Sequence, residues 1–174
     1  MSTETSAPII PSFDDDEEDR KLAIICSKGN LDMAYPGLIL GNAALGEGVE
    51  THLFFTFWGF DMIIKSRMND LQFSPAGNAA MHLPHSDRHM PQALAPAMTG
   101  MATKMLKKQI ADLGVPEVPE FLDLITAAGG HLWACKLSAD MFDVGLPELR
   151  DDVEGIITAA DFIELTKGAQ LLFI

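Results

Sequence analysis

Between residues 21 and 174, short apolar runs alternate with segments of helical spacing, and few folds accept such an alternation. Leu22-Ala-Ile-Ile25 carries no charge and is followed by Cys26-Ser-Lys-Gly-Asn30, where Gly29 and Asn30 form a turn. A helix is expected from there to about Gly46, its regular part beginning near Pro36, which suits a first turn. Val49 to Phe57, rich in β-branched and aromatic residues, reads as a second strand. Trp58 to Lys65 has helical character weakened by Gly59, and Arg67 to about Gly100 shows no readable period. Helical stripes return over Met101–Leu113 and Glu120–Ala128, the second closed by Gly129-Gly130. Then come a strand at His131–Ala134, a short helix from Ser138 to about Phe142, a strand at Val153–Ile157, a helix at Ala159–Thr166 and a last strand at Gln170–Ile174. Five strands alternating with helices predict a three-layer α/β/α sandwich around a mostly parallel five-stranded sheet.

Residues 1–20 belong to a different regime. Ser, Thr and Pro precede Asp14-Asp-Asp-Glu-Glu-Asp19, so this segment is expected to be a disordered acidic tail ahead of one domain spanning 21–174. The 48% hydrophobic content supplies a sizeable core. A net charge of −13 argues against nucleic acid and against anionic membrane surfaces, which select basic faces. The longest apolar stretch, Leu53 to Phe60, stops at Asp61 and is too short to span a bilayer. Without a basic region followed by an apolar one at the N-terminus, the expected location is the cytoplasm, where both cysteines are thiols.

Those thiols carry the chemistry. Cys135 closes the strand His131–Ala134 and so falls on the carboxyl edge of the sheet, where ligands and helix N-termini gather. Lys136 follows it, and Ser138 looks like a helix cap; both favour thiolate over thiol. The competing reading is a small residue packing a strand end. Cys26, with Lys28 nearby, has the same placement after the first strand, and if the two strands were adjacent it would be a relay or resolving thiol; otherwise it is a buried loop residue. His82, His85 and His89 have the spacing of one helix face, but Pro84 and Pro91 oppose a helix there, and no metal site is expected. His131 is expected to be packed or to face a second subunit, and Trp58 with the neighbouring phenylalanines to serve core or subunit contacts. No nucleotide-binding glycine motif and no Cys-x-x-Cys occurs, so no cofactor is expected.

Three pieces together, Ala23-Ile-Ile-Cys26-Ser-Lys-Gly-Asn-Leu-Asp32-Met-Ala-Tyr35-Pro36, Phe54-Phe-Thr-Phe-Trp58-Gly59, and Cys135-Lys-Leu-Ser-Ala139 with Thr158-Ala-Ala-Asp161-Phe-Ile-Glu164-Leu, resemble the DsrE/DsrF/DrsH-like family, in particular its larger branch, often labelled peroxiredoxin-like. The resemblance runs from about Lys21 to Ile174. It implies an open α/β sandwich that forms homo-oligomers and works in intracellular sulfur trafficking. Cys135 occupies the position that would accept sulfane sulfur as a persulfide and pass it to another protein thiol, with Cys26 matching a second cysteine of the larger branch. The implied partners are sulfur-donating or sulfur-accepting carrier proteins, TusA-like or rhodanese-like. The alternative is a non-catalytic oligomeric scaffold with incidental cysteines, regulated by metal at the histidine stretch.

Overall fold

The structure, a computed structural model, describes residues 20–74 and 95–174. The acidic tail and the stretch carrying His82, His85 and His89 lie outside the described residues. Five strands, β1 (Lys21–Cys26), β2 (Glu50–Phe55), β3 (His131–Cys135), β4 (Val153–Ile157) and β5 (Gln170–Phe173), form one all-parallel sheet in the order β4-β3-β2-β1-β5. Between them run α1 (Leu31–Gly46), a 3-10 segment (Phe57–Met62), α2 (Ala95–Asp112), α3 (Val118–Ala127), α4 (Lys136–Phe142) and α5 (Ala159–Leu165). The expected α/β sandwich is the fold observed.

In aligned parallel strands, residues opposite one another share a face and successive residues alternate faces. One face, with Ile24, Leu53, Phe55 and Leu132, packs against Leu38 of α1 and Leu122 and Ile125 of α3 in the main core. The other face holds a smaller cluster of Ala23, Phe54, Cys135 and Phe162, the last supplied by α5. Phe162 stacks on Phe54 with ring centroids 4.5 Å apart. α5 itself starts at a capping box in which Thr158 Oγ1 accepts from the Asp161 amide while the Asp161 carboxylate accepts from the Thr158 amide.

Several element boundaries depart from the sequence reading. α1 begins at Leu31, so Pro36 lies inside the helix on its exposed side instead of in its first turn. The proline removes one i→i−4 bond where water competes least expensively for the freed carbonyl. β2 stops at Phe55 because Phe57 turns into the left-handed region (φ 46°). The following 3-10 segment lies hard against the end of β1: a side chain on Gly59 would overlap the Cys26 carbonyl, which accepts a bond from the Thr56 amide at 3.0 Å. α2 starts at Ala95, not Met101, because Thr99-Gly100 interrupt the apolar spacing without breaking the helix. α4 starts at Lys136, two residues before the expected cap.

Candidate functional site

Cys135 is both the last residue of β3 and the N-cap of α4; with φ −73° and ψ 122° it passes from strand to helix without a loop. Only 5% of the residue is exposed, so this carboxyl-edge thiol is largely covered. Ser138 is therefore not the cap but the third helical residue, turned inward and 1% exposed. Its Oγ accepts from the Phe57 amide at 2.7 Å and lies 3.3 Å from Thr56 Oγ1. The left-handed backbone of Phe57 is the turn at which this amide is donated. Such a conformation in a non-glycine residue costs on the order of 1–3 kcal/mol and concentrates at functional sites.

Burial pushes the Cys135 thiol up, but the polar surroundings, Thr56 first and then Ser138 and Leu137 at the start of α4, outweigh it and hold the thiol below its ordinary value. Lys136 directs its ammonium elsewhere, to Asp140 one helical turn on at 3.1 Å. Thr56 is the neighbour of Cys135 that sequence reasoning missed. Its signal is a single polar residue in the middle of the apolar run Leu53 to Phe60.

Cys26 has the opposite environment. Burial pushes its thiol up to about 12, and it faces the α1 side of the sheet in the main core. The strands carrying the two cysteines are not neighbours: β2 lies between them, with Cys26 opposite Phe55 and Phe55 opposite Ala134. Two strand spacings, roughly 10 Å, and opposite faces separate the thiols, beyond the reach of a disulfide without backbone movement. The condition on which a relay through Cys26 rested is thus not met. Lys28 lines a cavity of about 570 Å³ with Asn30, Trp58, Arg67 and Gln72; Cys135 is not part of its wall. Trp58 stays exposed beside it, one face tilted onto Phe142 of α4 at 5.6 Å.

On the Cys135 face, at the amino end of the strands, Glu50, His52 and His131 bring ligand-type atoms within 4.8 Å of one another. The geometry suits a hydrogen-bond network better than a metal. The two rings stack at 4.6 Å and 17°, so their in-plane lone pairs run side by side instead of converging. The Trp133 indole donates to His52 Nδ1 at 3.3 Å, which leaves the proton on Nε2, and Nε2 donates it to Glu50 at 2.8 Å. His131, its side chain 36% exposed, stacks on His52 and pairs with Glu154. Burial lowers the His52 pKa against the pull of Glu50. With its folded value depressed, the neutral ring's contribution to stability is complete above the unfolded value near 6.5 and is lost as pH falls through the lower folded value. Melting temperature is accordingly expected to fall more steeply below pH 6.5 in the wild type than in His52→Gln; parallel pH curves would remove His52 as the cause.

The family model for the DsrE/DsrF/DrsH-like family matches residues 18–173, nearly the whole chain. The chain belongs to this family. The Sulfur carrier protein DsrE2 of Allochromatium vinosum is 39% identical over 148 residues, covering 83% of this chain and 92% of that one. The Uncharacterized protein YrkE of Bacillus subtilis is 25% identical over 168 residues, covering 91% and 99%. The crystal structure of the ychN protein from E. coli aligns over 89% of this chain with a TM-score of 0.52 at 14% identity, a likeness of fold. Within the DsrE-like sheet, Cys135 is thus a carboxyl-edge thiol at the start of α4. Among the described residues no helix is long and apolar enough to cross a membrane.

Proposed function

We propose that this chain is a sulfur carrier that takes sulfane sulfur onto Cys135 as a persulfide and delivers it to the thiol of a partner protein, TusA-like or rhodanese-like. The observation that carries the reading is the placement of Cys135 at the carboxyl end of β3 as the N-cap of α4, close to the buried Thr56 and Ser138, where its thiol is held below its ordinary value, because the thiolate is the species that attacks a sulfane sulfur. The name of the Allochromatium vinosum relative supports the same reading. Cys26, neutral and enclosed at physiological pH, takes no part in it. The reading implies a reducing compartment, the cytoplasm, in which unpaired thiols persist. The cover over Cys135 favours a second reading, an assembly subunit whose cysteines only pack.

Loading with polysulfide followed by intact-protein mass spectrometry separates the two. Wild type and Cys26→Ser are expected to gain a reductant-labile sulfur and Cys135→Ser to gain none. An adduct that survives in Cys135→Ser, or none in the wild type, leaves the assembly reading in its place.

The proposal includes self-association. Phe173 and Leu171 of β5 and Ile163 of α5 are exposed large apolar side chains on a thinly covered side of the sheet, with Phe173 68% exposed. Patches of this kind mark interfaces. Light scattering at micromolar concentration is expected to give the mass of at least two chains, and a monomer mass would count against it.

A further inference from the structure

We infer that the cavity at the carboxyl end of β1 is a binding site for a small zwitterion of the amino acid or short peptide class, with its carboxylate on Lys28, its ammonium on Asp70 and an apolar side chain on Trp58. The site stands apart from the persulfide chemistry, because Cys135 does not line it. Its volume of about 570 Å³ lies in the range of small-molecule sites, and the carboxyl edge is where open α/β sheets hold their ligands.

The walls are fixed before any ligand arrives. A side chain on Gly29 would overlap the Trp58 carbonyl, as one on Gly59 would overlap that of Cys26, so the loop after β1 and the 3-10 segment lock together through two bare backbones. The wall contributed by Leu71 and Gln72 is held at two points: the Gln72 carbonyl accepts from the Leu31 amide at 2.9 Å, and Leu71 is 7% exposed in the main core. The Trp58 ring is braced by Phe142 from one side while 62% of the residue remains exposed, which leaves aromatic surface for an apolar group to cover.

Charge selects the ligand. Lys28, Asp61, Arg67 and Asp70 are the charged side chains in the wall. Two of them occupy each other: Arg67 Nη1 donates to Asp61 at 2.8 Å, and the same guanidinium lies 5.3 Å from the centroid of the Phe142 ring. Among the described residues, the side chains of Lys28 and Asp70 have no hydrogen bond and no ion pair. One cation and one anion are therefore left to serve a ligand, which fits a molecule that carries one of each. A free anion suits the site less well, since the net charge of −13 repels it at a distance and leaves a zwitterion unopposed.

Calorimetric titration of the full chain at low salt with alanyl-phenylalanine tests the site, alongside the N-acetyl form of that dipeptide, which lacks the cation, and its C-terminal amide, which lacks the anion. The parent dipeptide is expected to bind about ten-fold more tightly than either derivative, the worth of one hydrogen bond to a charged group. Lys28→Met is expected to weaken the parent and the N-acetyl form and to leave the amide unchanged. Asp70→Asn does the reverse, weakening the parent and the amide and leaving the N-acetyl form unchanged, while Trp58→Ala weakens all three. Lys28 and Asp70 are exposed, so both variants are expected to keep the wild-type melting temperature. Equal affinities for the three probes, or charge variants that move all three alike, overturn the zwitterion assignment. Absence of binding by the dipeptide at about 10 mM overturns the site.

Discussion

Arg150→Met is expected to lower folding stability by about 3 kcal/mol in denaturant titration, with an unchanged m-value, because it removes a buried guanidinium and with it several charge-assisted hydrogen bonds at once. Arg150 is 6% exposed, and its guanidinium is fully used. Nε and Nη2 fork onto the Asp152 carboxylate at 2.9 and 2.7 Å, Nη2 also reaches Asp123, and Nη1 donates to the Pro119 carbonyl at 3.2 Å. The backbone amide of the same residue bonds the Ile63 carbonyl at 2.9 Å. One residue thus ties the approach to β4 to α3 and to the segment after the 3-10 turn. Asp123→Ala is a contrasting case: its carboxylate is 68% exposed and water replaces the arginine readily, so less than about 1 kcal/mol is expected. Equal losses in the two variants would show that the guanidinium is not the anchor.

Phe162→Ala is expected to raise the alkylation rate of Cys135 on the order of 100-fold at neutral pH. Phe162 is 1% exposed and is the buried residue by which the seven-residue α5 holds the cluster containing the thiol. Truncating a buried Phe typically costs about 3–5 kcal/mol, here concentrated on one short helix. If the thiol is reached through local opening of α5, a 3 kcal/mol smaller opening energy multiplies the open population about 100-fold. Iodoacetamide labelling followed by peptide mass spectrometry measures this, with Cys26, held at about 12 inside the main core, as the unreactive internal control. An unchanged rate at Cys135 together with a lowered melting temperature would show that the thiol is reached without moving α5.

The chain order of strands and helices was readable because it depends on local patterns: apolar runs, helical spacing, and glycine or asparagine turns. For the same reason Cys135 could be placed at the carboxyl end of β3 without a structure. The cap position could not be read as well. Ser138 is a good cap by residue type, yet Cys135 takes the position because the strand enters the helix directly, and this turns the serine inward to the Phe57 amide.

Tertiary structure alone decided which groups meet. Strands buried on both faces read as continuous apolar runs, so the sequence does not mark which face a residue occupies, and a one-residue difference in where a strand begins reverses it. That parity puts Cys26 in the core beneath α1 and Cys135 on the opposite face. Crossover connections of similar length are compatible with several strand orders, so the placement of β2 between β1 and β3 was equally hidden. The same placement brings Thr56 from the end of β2 to Ser138 and Cys135, and distant packing brings Arg150 to Asp123. The sequence by itself determined a parallel α/β sandwich with a thiol at its carboxyl edge; packing between residues far apart in the chain decided that Cys26 is enclosed in the main core with its thiol pushed up, while the Cys135 thiol lies on the other face near Thr56 and Ser138 and is held below its ordinary value.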